Sequence, residues 1–141
     1  MLLCIIVQKL FRAQGGVVSP EQKKVKEFHE KYGYLSADKP NWPDPEVLLT
    51  RIRLIITEAG ELADALSTRD MVEAADGLAD LLVVVYGTAD VLGLDMEPIF
   101  NEIHRSNMSK EGGFDSGGKI QKGDSFVQPV VAGELAKQGW G

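Results

Sequence analysis

Leu48, Ile52, Ile55, Ala59, Leu62 and Leu66 return at alternating intervals of four and three residues. Only an α-helix turns that spacing into one continuous apolar face. Asp44-Pro45 precedes it, a cap residue followed by a proline in the first turn, where a missing amide hydrogen is tolerated. Downstream, Asp70 stands three residues before Glu73, a capping pair, and Val72, Ala75, Ala79, Leu82 and Tyr86 continue the helical spacing up to Gly93. Every residue from Leu81 to Tyr86 is apolar, which predicts a turn buried on most sides. Ser19-Pro20 with Gln22 predicts an earlier helix, capped reciprocally, that carries Val25, Phe28 and Tyr32 and stops at Gly33. Residues 34–43, with Pro40, Trp42 and Pro43, read as a loop, and Trp42 as a packing residue in it. Asp95 caps a fourth helix with Ile99, Phe100 and Ile103, which frays into Gly112-Gly113.

Four helices with short connections predict an all-α domain over residues 19–111, arranged as a four-helix bundle or paired hairpins. Residues 1–18 form an N-terminal extension in this reading. From 112 to 141 glycine rises and periodicity vanishes, so an irregular tail is expected. Ile120, Phe126, Pro129 and Val130 are placed to tack it onto the bundle, with a short helix near 131–138.

A length of 141 residues fits one domain, and 44% apolar against 26% charged residues supplies a core. The net charge of −6 argues against a nucleic-acid polymer as partner, because phosphate neutralisation needs a basic face. The single cysteine, Cys4, excludes an internal disulfide and a cysteine zinc site, and fits a reducing cytoplasm. The apolar opening Met1 to Val7 is too short to span a bilayer, so no membrane partner is expected.

Between Leu54 and His104, eleven acidic residues face Arg69 alone. Like charges three or four residues apart on a helix repel, so a cation from outside the segment is expected. Glu58 and Glu61 flank the apolar stripe on the second helix, and Glu73, Asp76 and Asp80 form one row on the third that runs on into Val83 and Gly87. Asp80 abuts the apolar run, where an ionised carboxylate needs a cation. Carboxylates facing one another from two helices suit a hard ion such as Mg2+ or Mn2+. The plainer alternative is a pair of acidic helix faces with a capping box, and Glu73 leans that way. The acidic stretch is followed by Arg105, Asn107, Lys110, Lys119 and Lys122, groups suited to phosphate oxygens.

No GxxxxGK[ST] loop and no dinucleotide fingerprint is present. His29 and His104 lack the Glu-x-x-His spacing of di-iron bundles and read as core or surface residues. Cys4 lies in the extension and is not expected to act as a nucleophile, and nothing matches a twelve-residue calcium loop.

Glu58-Ala59-Gly60-Glu61, followed by Asp76 and Asp80 heading the run Leu81 to Gly87, resembles the all-α nucleoside triphosphate pyrophosphatases. Within them the chain is most similar to the MazG-like, phosphoribosyl-ATP-pyrophosphohydrolase-like branch. Phe28-His29-x-x-Tyr32-Gly33, Ser106-Asn107-Met108-Ser109-Lys110 and Gly118-Lys119-Ile120-Gln121-Lys122-Gly123 carry that likeness. The family pattern EExxE then ExxD is altered here, with Thr57 for the first glutamate and Gly77 three residues before Asp80. The resemblance implies Mg2+-dependent hydrolysis of a nucleotide between its α and β phosphorus atoms, giving a monophosphate and pyrophosphate. It carries Glu58, Glu61 and Asp80 over as catalytic and metal-binding residues, with Asp76 as a substitute ligand. Arg105, Asn107, Lys110, Lys119 and Lys122 then bind substrate. It also implies a homodimer or homotetramer, because a single chain of this kind exposes apolar helix surface. The candidate substrates are dUTP, dCTP or a non-canonical nucleoside triphosphate, with phosphoribosyl-ATP as the alternative. A non-catalytic helical module that binds metal or protein is the competing class.

Overall fold

A computed structural model describes residues 18–141, so Cys4 and all of the expected extension except Val18 lie outside the described residues. The helices are α1 (Pro20–Tyr32), α2 (Pro45–Thr68), α3 (Met71–Leu92), α4 (Met96–Met108) and α5 (Val131–Lys137). The all-α expectation holds, and the four expected helices are joined by the short fifth. α2 and α3 form a long antiparallel hairpin, and α1 packs on α3. α4 leaves α3 at 115° and packs chiefly on α5. The molecule is therefore a three-helix body, α1 to α3, and an arm built from α4, the tail and α5.

The caps work largely as the residue types dictate. Ser19 Oγ accepts from the Gln22 amide at 3.2 Å, and Asp70 accepts from the amides of Val72 and Glu73 at 3.0 and 3.1 Å. Asp95 accepts from Glu97 at 3.1 Å, whereas Asp44 makes no side-chain cap bond. The reciprocal half expected of Gln22 is absent. Its side chain instead crosses to the α3–α4 corner, where Nε2 donates to the Leu94 carbonyl at 2.6 Å and Oε1 accepts from the Met96 amide at 3.1 Å. α4 stops at Met108, four residues short of the glycine pair.

The buried face of the hairpin differs from the predicted stripes. Leu62 and Ala65 on α2 and Ala74, Gly77, Val84 and Gly87 on α3 are buried, with Gly77 against Leu62 and Gly87 against Arg51, so small residues bring the two helices close. The bulkier residues of the predicted stripes turn outward: Ile52, Leu66, Val72 and Leu82 are 52, 59, 76 and 53% exposed. The expectation that the Leu81–Tyr86 turn is buried on most sides is corrected likewise. Val84 is buried, while Leu82, Val83 and Val85 are exposed, because α1 and α2 cover only one side of α3. On α1, only Val25 of the three expected residues is buried, and Phe28 and Tyr32 remain exposed.

The body is laced by polar groups. His29 Nδ1 lies 2.8 Å from Asp90 Oδ2, and Ser36 Oγ donates to Asp90 Oδ1 at 2.8 Å. The Ala37 amide donates to the Asp90 carbonyl at 3.0 Å, so the 34–43 loop is tied to α3. Arg51 is buried and donates through Nε to Thr88 Oγ1 at 3.1 Å and through Nη2 to the Val84 carbonyl at 2.9 Å. Burial pulls its guanidinium below the ordinary value, opposed by the negative fields of Tyr34 and Asp90. Gly87 makes room for these groups, since a β-carbon there would stand 2.5 Å from Arg51 Nη2 and 2.9 Å from His29 Nε2.

The tail attaches along α4, the fourth helix of the expected bundle, through hydrogen bonds where apolar tacking was expected. Phe114 and Ile120 form an isolated antiparallel bridge, and Asp115 Oδ1 organises its turn by accepting from the amides of Gly117 and Lys119. The chain then runs back along α4. Ser106 Oγ donates to the Val127 carbonyl at 2.8 Å, the Val127 amide donates to Ser109 Oγ at 2.9 Å, and the Val130 amide donates to Glu102 Oε1 at 2.7 Å. Hydrogen bonds to a polar helix face attach this segment, and Val130 stays 60% exposed. Gln138 closes the arm on the corner, accepting from the Asp95 amide and donating to its carbonyl, both at 2.9 Å.

Candidate active site

Gly77 lets α3 approach the backbone of Leu62 on α2, and the carboxylates lie near that contact. Glu58 sits one turn before Leu62 on α2 and Glu61 immediately before it; Asp76 and Asp80 bracket Gly77 on α3. Glu58 is partly buried, the other three are exposed. The Glu58 carboxyl is pushed above its ordinary value first by partial desolvation and then by the charges of Glu61, Asp80 and Asp76. Four predicted site residues therefore share one field. Glu73 is not among the charges acting on Glu58 and stays exposed in the first turn of α3. Asp80 is solvated rather than walled in, because the apolar turn after it is itself half open. As the side chains stand, no three His, Cys, Asp or Glu groups among the described residues converge to ligating distance.

The donor chemistry fits a hard cation: oxygen ligands only, in excess negative charge, with no cation among the groups that shift Glu58. Glu58, Glu61, Asp76 and Asp80 are the residues that would hold it.

The basic residues divide. Lys110, Lys119 and Lys122 converge around a concavity of about 370 Å3, together with Asp115, Ile120 and Gln121. Lys122 Nζ also stands 4.5 Å above the Phe126 ring. Arg105 is committed elsewhere, donating to both Glu102 oxygens at 2.8 and 2.7 Å and to the Gln128 carbonyl at 3.2 Å. That pairing, with the Val130 amide, holds the Glu102 carboxyl down to about 2. Asn107 is exposed, and its carbonyl accepts from the Lys110 amide at 3.2 Å. None of the four carboxylates lines the lysine cup. A second cavity of about 460 Å3, at the α3–α4 corner, contains no predicted site residue.

Arg51, Gln22, Gln138 and the His29–Asp90 pair were not singled out as one framework by sequence reasoning. An arginine within an apolar helix, opposite a glycine in the next one, is the signal that points to Arg51. The glutamines carry none, because their partners are backbone groups far away in sequence.

Among the described residues no single helix is long and apolar enough to cross a membrane. The chain is all-α, without strands among its described elements, and its family match supports a nucleotide pyrophosphohydrolase-like function. The chain belongs to the phosphoribosyl-ATP pyrophosphohydrolase family, whose model matches residues 25–107, more than half of its length. That stretch includes Glu58, Glu61, Asp76, Asp80, Arg105 and Asn107 but ends before Lys110, Lys119 and Lys122. The chain is also similar to uncharacterized protein L479 of Acanthamoeba polyphaga mimivirus, 37% identical over 54 residues, or 38% of this chain. The matched stretch spans only 22% of that viral protein.

Proposed function

We propose that the protein is a Mg2+-dependent nucleotide pyrophosphohydrolase that splits a nucleoside triphosphate between the α and β phosphorus atoms, releasing a monophosphate and pyrophosphate. The observation that carries the reading is the shared field of Glu58, Glu61, Asp76 and Asp80 at the waist of the hairpin, within a chain of this family.

When bound, a divalent cation supplies charge neutralisation for the polyphosphate and acidifies a water nucleophile. Glu58, partly buried beside the other three carboxylates, is placed to accept a proton from a water nucleophile. Glu61, Asp76 and Asp80 would help to hold the cation, and they keep the field negative at this end of the hairpin. Lys110, Lys119 and Lys122 take phosphate oxygens and stabilise the charge that builds on the departing pyrophosphate. The reaction consumes one water and breaks one P–O bond, with no redox partner. Mn2+ is a chemically equivalent substitute, and the cytoplasm is the compartment that fits the composition.

The family match favours phosphoribosyl-ATP as a second substrate reading. Purified protein, assayed for pyrophosphate release from dUTP, dCTP, non-canonical triphosphates and phosphoribosyl-ATP with and without Mg2+, separates the two. Pyrophosphate from a simple triphosphate supports the first reading, release from phosphoribosyl-ATP alone supports the second, and release from none leaves a non-catalytic helical module.

A further inference from the structure

We infer that Asp115 is a positioning residue: its carboxylate folds the turn that carries Lys119 and so holds the lysine cup in shape for the phosphate oxygens of a pyrophosphate group before that group arrives. The inference rests on the pyrophosphohydrolase reading of the three lysines, and it concerns a stretch beyond residue 107, where the family match ends.

By charge alone, a carboxylate in the wall of this cup offsets one of the three lysines and weakens the hold on an anion. The bonds it makes point the other way. Asp115 Oδ1 accepts from the Gly117 amide at 3.0 Å and from the Lys119 amide at 2.9 Å, and Oδ2 accepts from the Gln121 side-chain amide at 2.8 Å. The main chain of the same residue closes the ring, its amide donating to the Lys119 carbonyl at 2.9 Å and its carbonyl accepting from the Gly118 amide at 3.0 Å. Neutral amides thus occupy the carboxylate. Among the described residues none of Lys110, Lys119 and Lys122 forms an ion pair, so their ammonium groups are left for a ligand.

The backbone around the turn is fitted to the same end. Gly118 holds a left-handed φ of +77°, which lets the chain reverse between Asp115 and Lys119. The Gly112 amide donates to the Gln121 carbonyl at 3.0 Å, and a β-carbon on Gly112 would stand 2.8 Å from the carbonyl oxygens of both Gln121 and Lys122. That close approach brings the segment after Lys110 against Lys122, while the Asp115 bonds fix where Lys119 leaves the backbone. Removing the carboxylate strands three donors at once. The ligand then has to order the lysines itself, which costs affinity.

Charge and position predict opposite signs, and titration calorimetry of metal-free protein with inorganic pyrophosphate at low salt reads the sign. Without metal the four carboxylates of the hairpin repel this anion, so the heat reports the cup. Asp115→Ala should weaken pyrophosphate binding about tenfold, the scale of ordering two long side chains on binding. Its helical circular dichroism should not change, because residues 111–120 are all exposed. Asp115→Asn keeps an oxygen for both backbone amides, Gln121 can turn its own amide to match, and the charge is gone. That variant should bind at least as tightly as wild type. Lys119→Ala/Lys122→Ala should bind at least about a hundredfold more weakly, which locates the probe in the cup. Four outcomes overturn the inference: an alanine variant that binds as well as wild type or better, an asparagine variant as weak as the alanine one, a double lysine variant that binds like wild type, or a wild type that takes no pyrophosphate. Loss of the hydrolase reading alone would show as no turnover of any nucleotide, with the order of these affinities intact.

Discussion

Gly77 rests directly on Leu62: a β-carbon there would stand 3.2 Å from the Leu62 Cα and 3.3 Å from its Cβ. The family pattern carries a glutamate where this chain has Gly77. At this close crossing any side chain would press on Leu62, and Asp76 stands one residue before. Gly77→Ala should therefore destabilise the fold by about 1 kcal/mol, overpacking outweighing the gain in helix propensity. Gly77→Glu should cost more and raise no activity. Urea denaturation followed by circular dichroism checks both, and an unchanged midpoint for the alanine variant would show that the hairpin spreads freely.

Glu58→Gln and Glu61→Gln should abolish turnover while leaving helicity intact. The sign of the stability effect follows from the raised Glu58 carboxyl. A carboxyl raised by folding opposes the fold above its unfolded value, and relief comes as the pH falls through the folded value. Removing that charge should hold or raise the Tm of metal-free protein at neutral pH, and calorimetry at pH 7 and pH 5 should show the difference shrinking at the lower pH. Asp80→Asn should lower turnover by at least about a hundredfold and Asp76→Asn by less, each with weakened Mg2+ or Mn2+ binding by titration calorimetry. Wild-type metal affinity in Asp80→Asn would transfer the ligand role to Glu73 and Asp76.

Glu102 predicts an acid response in the arm. Its carboxyl is held at about 2 against an ordinary 4.5, first by the Arg105 hydrogen bond and then by the Val130 amide. A depressed carboxyl stabilises above its unfolded value and loses that contribution as the pH falls toward the folded one. Hydrogen exchange at Val130 should thus accelerate between about pH 4.5 and pH 2 in wild type, relative to the intrinsic rate. Glu102→Gln should show fast exchange already at pH 6, with α1 to α3 unaffected.

Asp90 serves His29 and Ser36 with its two oxygens and belongs to the framework, despite lying in the acidic stretch. Asp90→Ala should cost on the order of 3 kcal/mol by stranding buried partners, and Asp90→Asn less. Both should retain metal affinity in the folded fraction, which separates this carboxylate from the four at the waist.

Helix positions were legible because caps and glycines are local chemistry: Ser19, Asp70, Asp95, Gly33 and Gly93 act at the ends where they stand. Which stripe packs inside was not. Gly77 and Gly87 select the inner face by permitting close approach, and they carry no apolar signal, whereas Ile52 and Leu82 look like core by type yet face outward. Charge excess pointed to Glu58, Glu61, Asp76 and Asp80, which the structure places on two neighbouring helices within one field. The tail's destination was invisible, because Val127, Gln128 and Val130 attach through backbone groups that any residue offers.

The α3–α4 corner takes its side-chain supports from opposite ends of the described chain, Gln22 on α1 and Gln138 just after α5, each replacing a backbone partner at residues 94–96. The arm is thus aimed like a lever whose fulcrum is a pair of side-chain amides. A slight rotation at that fulcrum sweeps the far end of α4 through several ångströms, so changes at Gln22 or Gln138 would re-aim Lys110 without touching a single residue of the hairpin.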